Sequence, residues 1–296
     1  MRLVASHSPR SDRWAPTAAR VIIAALILCA TCASAAELKL ATWNLEWLTV
    51  REHDLPRDAR PKRSEDIDLL QHYAIDLNAD VIAIQEVDGA AIAARVFPPD
   101  RYSIHMSRDR VVQRVGIVVR RGIHYDVNPD LTGLDVDPTH ALRSGVDITL
   151  GLQPPLRLLG VHLKTGCFDY RLSGRMGRNC TELSEQIPPL QDWIRTRQAE
   201  GVAFAIMGDF NRHMDGRDQF WDALSSSAPL TRTTEGHASP CWGGESFIDH
   251  IILGSAARGW LEPDSLRVMT YRETGEEWKE RLSDHCPLSV RLRLPD

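Results

Sequence analysis

The stretch Ala203-Phe204-Ala205-Ile206-Met207-Gly208-Asp209-Phe210-Asn211-Arg212 decides how the rest of this chain is read. Five apolar residues run into a glycine and then deliver a carboxylate and a carboxamide two positions apart, as a buried strand does when it hands polar groups to the end of a sheet. Asp209 and Asn211 are therefore expected at a strand's exit, where open α/β sheets keep their chemistry. Gly-Asp-x-Asn is also ordinary turn chemistry, since Asp and Asn bond their own backbone and tolerate tight conformations. The choice turns on how many other apolar strands end in the same residue types.

Upstream, Leu156 to Thr165 is an apolar strand that closes on His162 and Lys164, two residues on one side of a period-two chain. A strand histidine is often structural and a terminal lysine often only solvated. The segment after it, Gly166 to Cys180, concentrates Arg171, Arg175 and Arg178 in one loop. Arg143, in His140 to Gly145, is a candidate phosphate ligand, with a solvated surface arginine as the plainer reading. Near the start, Leu38 to Leu45 is a strand carrying Asn44, and Asp80 to Val87 repeats the pattern and ends on Glu86. Between them Ile67, Leu70, Tyr73, Ala74 and Leu77 recur at helical spacing over 62–77, so strand, helix and strand form a βαβ-like unit. Downstream, Ser246 to Leu253 is an apolar strand interrupted by Asp249 and His250, and Asp284-His285-Cys286-Pro287 precedes an alternating strand over 288–294.

The remaining expectations are coarser. A short Ala-rich helix spans 89–96, and shorter strands at 102–106, 115–120, 123–127 and 146–150 have the hairpin-like spacing of antiparallel neighbours. A helix is expected over 181–200, bent or delayed by Pro188-Pro189, with a short helix near 218–224 and a further strand at 266–269. There is no internal repeat and no dividing linker, so residues 37–296 are expected to form a single domain.

The chain has 296 residues, 43% hydrophobic and 25% charged, which is the composition of a soluble globular protein and excludes long disorder. Residues 1–36 stand apart. Arg2, Arg10, Arg13 and Arg20 precede an apolar run from Val21 to Ala30 and the small residues Ala33 to Ala36, the three-part layout of a secretory signal peptide. Cleavage after Ala35 or Ala36 would place the mature protein outside the cytoplasm, secreted or periplasmic. Four arginines and Asp12 leave with the leader, so the formal charge falls from −5 to −8. An acidic exterior excludes a protein that coats nucleic acid by bulk electrostatics, though not an enzyme with a local basic site and a metal. Four cysteines remain, Cys167, Cys180, Cys241 and Cys286, with three possible pairings in an oxidising compartment. Closing the short Arg- and Gly-rich loop favours Cys167 with Cys180, which leaves Cys241 with Cys286. No zinc-type spacing is present.

The collected strand-end residues are four carboxylates, two carboxamides and two histidines: Glu86, Asp209, Asp249, Asp284, Asn44, Asn211, His162 and His285. Oxygen-rich sites of this kind suit Mg²⁺ or Mn²⁺. In order, Thr42-Trp43-Asn44-Leu45, Gln85-Glu86-Val87, Val161-His162-Leu163-Lys164, Gly208-Asp209-Phe210-Asn211, Ile248-Asp249-His250-Ile251 and Ser283-Asp284-His285-Cys286-Pro287 resemble the signature of the endonuclease/exonuclease/phosphatase superfamily, the deoxyribonuclease-I-like fold. The resemblance implies a four-layered α/β sandwich, two mixed β-sheets packed face to face and flanked by helices. It implies Glu86 as the principal metal ligand beside Asn44 and Asp284, and His285 as the catalytic histidine polarised by Asp249. Asp209 and Asn211 match the pair that orients or activates water and contacts phosphate, and His162 matches a second histidine. Lys164 and Arg143 would add positive charge toward substrate. The expected protein is a divalent-metal-dependent phosphodiesterase, a nuclease on DNA or RNA working as a monomer without a stable membrane partner. A phospholipid or small phosphate-ester hydrolase of sphingomyelinase or inositol-phosphatase type is the alternative, and an inactive binding module on the same fold is a third.

Overall fold

The computed structural model describes residues 36–295 apart from 54, 57–58 and 138–141, so the expected leader lies outside the described residues except for Ala36. The first unit is the βαβ arrangement. β1 (Glu37–Leu48) and β2 (Val81–Val87) are parallel, and α1 (Ser64–Leu77) crosses between them. α1 buries Ile67, Leu70, Tyr73, Ala74 and Leu77, the stripe its sequence spacing predicts, and stops at Asn78 with a left-handed φ of 45°.

The chain continues through α2 (Ala90–Val96), β3 (Tyr102–Met106), β4 (Arg114–Arg120), β5 (Tyr125–Val127), β6 (Val146–Leu150) and β7 (Leu156–His162). Then come α3 (Arg178–Glu185), α4 (Ile187–Glu200), β8 (Ala203–Asp209), α5 (Gln219–Ser225), β9 (Leu230–Arg232) and β10 (Asp249–Gly254). β11 (Arg267–Val268), α6 (Glu276–Arg281) and β12 (Leu288–Arg293) close it. One six-stranded sheet has the order β11-β12-β1-β2-β4-β3 and the other β5-β6-β7-β8-β10-β9. Both are mixed, because β1 with β2 and β7 with β8 run parallel while their neighbours run antiparallel.

Alternation along the strands makes four layers. Leu38, Leu40, Val81 and Ala83 of the first sheet meet Leu156, Leu158, Ala205 and Met207 of the second in a core between the sheets. The opposite faces carry Trp43, Ile82 and Ile84 against α1 and α2, and Val161, Phe204 and Ile206 against α3, α4 and α5. The two-sheet α/β sandwich is therefore the architecture the sequence implies.

Some boundaries differ. The helix expected over 181–200 is two helices meeting at Gln186, because Pro188-Pro189 sits in the first turn of α4, where a missing N–H costs nothing. β5 begins at Tyr125 rather than 123, and β10 at Asp249 rather than 246. β3 pairs with β4 and β5 with β6, but β4 and β5 belong to opposite sheets, so the expected run of hairpins is broken there. β9 and α6 are too short and polar to show a period. Disulfides join Cys167 to Cys180 and Cys241 to Cys286, the favoured pairing.

Candidate active site

The site is a consequence of strand direction. β1, β2, β7 and β8 all deliver their C-terminal ends to one edge of the sandwich, while β10 and β12, antiparallel to β8 and β1, begin there. Asp209 stands opposite His162 on one side and Asp249 on the other in the register of the second sheet. Asn44, His162, Asp209 and Asp249 also share the parity of the inner-face residues on their own strands, so the pleat sends all four into the gap between the sheets. Gly208 permits this approach: a Cβ there would lie 1.9 Å from the carbonyl oxygen of Val161 on β7.

Glu86 breaks the parity. Ile82 and Ile84 face the helices, and strict alternation would send Glu86 with them. Instead Glu86 has φ of 60°, and the pairing of β2 shifts register on both sides at this point. The bulge turns the carboxylate inward, with Oε1 3.3 Å from Asn44 Nδ2 and 3.6 Å from His162 Nε2. Glu46, Trp47 and Asn211 are also non-glycine residues with positive φ, and such conformations cost roughly 1–3 kcal/mol each. Their concentration at one edge marks where the fold accepts strain.

On the first-sheet side, Asn44 Nδ2 also donates to Asp209 Oδ2 at 3.1 Å, and the Trp47 amide donates to Glu86 Oε2 at 3.2 Å. Glu46 joins this group. It accepts from the Asp284 amide at 3.0 Å, and burial together with the charge of Asp284 pushes its carboxyl up to about 7, against the pull of Lys62. The sequence reading passed over Glu46, although its place two residues after Asn44 in a strand-end motif was the available signal.

On the second-sheet side, the Asn211 amide donates to Asp209 Oδ1 at 2.8 Å, and Asn211 Nδ2 donates to Asp209 Oδ2 at 3.2 Å and to the Leu163 carbonyl at 3.1 Å. Burial raises Asp209 to about 7, and the charge of Asp249 adds to this while His285 opposes it. His285 Nδ1 lies 2.7 Å from Asp249 Oδ2, and its Nε2 lies 3.8 Å from Asp209 Oδ2 and 3.7 Å from Asp284 Oδ1. Burial pulls this imidazole down, but Asp249 and Asp209 outweigh it and hold His285 well above the ordinary histidine value. His162 goes the other way. Buried, with Arg143 and His285 nearby, it is held well below that value and is neutral. Its Nε2 is 3.5 Å from Asp209 Oδ2, and its Nδ1 has no hydrogen-bond partner among the described residues.

The loop before β12 is braced from behind. Ser283 Oγ donates to the Asn44 carbonyl at 2.7 Å and accepts from the His285 amide, while Tyr271, itself bonded by Trp43 Nε1, donates to the His285 carbonyl at 2.8 Å. A cleft of about 230 Å³ opens beside His285, Asp249 and Asp284, lined also by Trp242, Glu245 and Lys279. Asp209, Asp249 and His285 offer three ligand atoms within 4.8 Å of one another, the grouping of this kind found among the described residues, and it is not the expected Glu86, Asn44 and Asp284 set.

Two substrate-binding candidates lie differently. Lys164 does not face the cluster freely; its Nζ is 2.9 Å from Glu182 on α3. Arg143 is buried beneath the site, donating to the Leu163 carbonyl at 3.2 Å, with Nε unpartnered among the described residues and Glu86 and Asp209 the carboxylates that act on it most. His250, next to Asp249, turns to the helix side, where it bonds Thr234 and the Arg212 carbonyl.

A two-sheet α/β sandwich whose inner faces end together in carboxylates, carboxamides and two histidines defines the deoxyribonuclease-I-like class. The sequence profile of the Endonuclease/Exonuclease/phosphatase family matches residues 41–285, and the chain belongs to that family. Its members are phosphoester hydrolases, typically metal-dependent. No curated protein matches the sequence. Among solved structures, the chain is similar to truncated Caenorhabditis elegans TDP2, at 16% identity over 87% of this chain and 97% of that one, with a TM-score of 0.59. D. rerio TDP2 complexed with single strand DNA product is 15% identical over 86% and 98%, with a TM-score of 0.56. The 3′ phosphatase NExo from Neisseria, bound to product DNA hairpin, is 17% identical over 86% and 99%, with a TM-score of 0.54. At such identities the likeness speaks for the fold alone.

Proposed function

We propose that the protein is an exported, divalent-metal-dependent phosphodiesterase that hydrolyses nucleic acid by in-line attack of water. The observation that carries this reading is the meeting of Asp209, raised to about 7, with a protonated His285 and a neutral His162 at one sheet edge. Two structural neighbours are described as bound to DNA product, which favours nucleic acid as the substrate. The leader-like residues 1–36 and the two disulfides favour an oxidising location, secreted or periplasmic.

The residues present fit a hard cation. Glu86 and Asp284, with Glu46 beside them, are oxygen donors, while Asn44 turns Nδ2 toward Glu86 and holds the Glu46 amide on its Oδ1 at 2.9 Å; the surplus negative charge of the carboxylates helps keep the Glu46 carboxyl raised. Mg²⁺ or Mn²⁺ held there would neutralise charge on the non-bridging oxygens of the phosphate. The chain's own groups do the rest. Asp209, oriented by Asn211 and Asn44, takes a proton from the attacking water. As the P–O bond to the leaving oxygen breaks, His285, its Nδ1 proton held by Asp249, gives its Nε2 proton to that oxygen, and His162 offers a neutral Nε2 on the opposite flank. Arg143 contributes positive potential from below.

The test is turnover by the purified chain on plasmid DNA, RNA, a small phosphodiester, sphingomyelin and phosphorylated inositols, with Mg²⁺ or Mn²⁺ and then with excess chelator. Cleavage of nucleic acid is expected, lost on chelation; activity that survives exhaustive chelation removes the metal from the reaction. Glu86→Ala and His285→Ala are each expected to lower kcat about 100-fold or more with the fold intact. Near-native rates in both would refute the site.

A further inference from the structure

The loop between His162 and α3 is not used by the chemistry above, yet it is built with care. The disulfide Cys167–Cys180 closes it, and Arg212, the residue directly after Asn211, holds its base. The buried Arg212 guanidinium is fixed by Asp218 at 2.8 and 2.5 Å and donates to the carbonyls of Cys167 at 2.6 Å and Tyr170 at 2.8 Å. Gln219 accepts from the Leu172 amide at 2.7 Å. The loop is thus locked to the strand exit that carries Asp209 and Asn211.

What it presents outward is basic on balance, three arginines against one exposed carboxylate, Asp169, which pairs with His213 at 2.9 Å. Tyr170 is 70% exposed, the most exposed large hydrophobic side chain among the described residues. Arg171 and Arg175 are exposed, and among the described residues neither has an ion-pair partner. The third arginine, Arg178, is committed to Glu182 and Asp137. A hollow of about 580 Å³ beside the loop is lined by Tyr170, Arg171, Ser173, Arg175 and Met176 and contains no carboxylate.

We propose that the stapled loop Cys167–Cys180 is a docking platform for single-stranded polynucleotide flanking the scissile phosphate, with Arg171 and Arg175 on backbone phosphates and Tyr170 stacked on a base. Unpaired arginines with an exposed aromatic are the combination that grips single strands without reading sequence. Attachment through Arg212, the residue after Asn211, ties that grip to the strand exit that carries the site. A lipid surface is disfavoured because no further exposed large apolar side chain accompanies Tyr170 on the loop. The proposal rests on the phosphodiesterase reading for its context, but its test does not.

Binding of a labelled oligothymidylate of about a dozen nucleotides is measured by anisotropy over a salt series, in a His285→Ala background that prevents cleavage. The Arg171→Ala/Arg175→Ala pair is expected to weaken binding at least about tenfold and to flatten the slope of log K against log salt by about 1.4, roughly 0.7 for each lost phosphate contact. Tyr170→Ala is expected to weaken binding roughly 5- to 150-fold with the slope unchanged, and Arg171→Lys/Arg175→Lys to restore most of the slope. Native affinity and slope in the double alanine variant would overturn the proposal. So would unchanged oligonucleotide binding accompanied by lost binding to vesicles of phosphatidylcholine and phosphatidylglycerol. Turnover of a small diester by the native chain reads the catalytic site separately, so failure there and failure of the platform are distinguishable.

Discussion

Replacing Asp249 with asparagine keeps the volume of the side chain and removes the charge that faces His285. Asp249 Oδ2 lies 2.7 Å from His285 Nδ1, with the two side chains only 12% and 11% exposed. Its other oxygen has no hydrogen-bond partner among the described residues, so the local bonding of this carboxylate is spent on the histidine. A charge-assisted bond in such a place contributes about 1.5–3 kcal/mol. If His285 must bear its proton in the transition state, losing that contribution lowers kcat by roughly 10- to 150-fold at 1.4 kcal/mol per decade. Asp249 acts through His285, so the effect should be non-additive. Once His285→Ala has been made, Asp249→Asn is expected to cost less than about twofold more. The assay is kcat on a small diester for the four members of the cycle, with denaturant unfolding to show that each is folded. Two results would sink the reasoning: a single Asp249→Asn variant within twofold of native, or a loss of the same size in both backgrounds.

Two further outcomes concern the scaffold. Gly208→Ala places a methyl 1.9 Å from the Val161 carbonyl oxygen, which only a movement of β7 against β8 can relieve; a loss of about 3 kcal/mol in denaturant unfolding is expected, and a loss below about 1 kcal/mol would show the close approach to be dispensable. His250 is held neutral, lowered to about 4, by burial first, with the charge of Arg232 adding to it and the hydrogen bond to the Arg212 carbonyl opposing. A depressed histidine loses stability as pH falls from its unfolded value near 6.5 toward its folded value, because the unfolded chain binds the proton first. Between pH 8 and pH 5 the native chain should therefore lose about 2 kcal/mol more than a His250→Gln variant. Equal losses would place the titration elsewhere.

Much of the candidate site was legible because each part is local. A strand that is apolar on both faces and ends in Asp209, Asn44 or His162 announces its burial and its polar exit within seven or eight residues. The α1 stripe and the β1–α1–β2 unit follow from spacing alone for the same reason. Even Asp249 and His250 were visible as a pair. That Asp249 rather than His250 enters the site followed from the family resemblance and not from spacing, and the register of β10 against β8 supplies the physical reason, setting Asp249 opposite Asp209 while His250 faces the helices.

The sequence by itself thus determined the elements, their polar ends and the oxygen-rich donor set, because residue type and period are properties of short segments. Tertiary structure alone decided the rest. A bulge at Glu86 reverses the face that alternation assigns it, and left-handed backbone at Glu46 and Asn211 sets where those side chains lie. Lys164 is withdrawn into a pair with Glu182, and Arg143 is sunk beneath the site, because helix α3 and the loops over the second sheet come to them from far along the chain. The opposed protonation of His162 and His285 is likewise a tertiary fact. His162 ends β7 and His285 lies in the loop before β12, and what separates them is that Arg143 stands near one while Asp249, brought in by another strand, stands against the other.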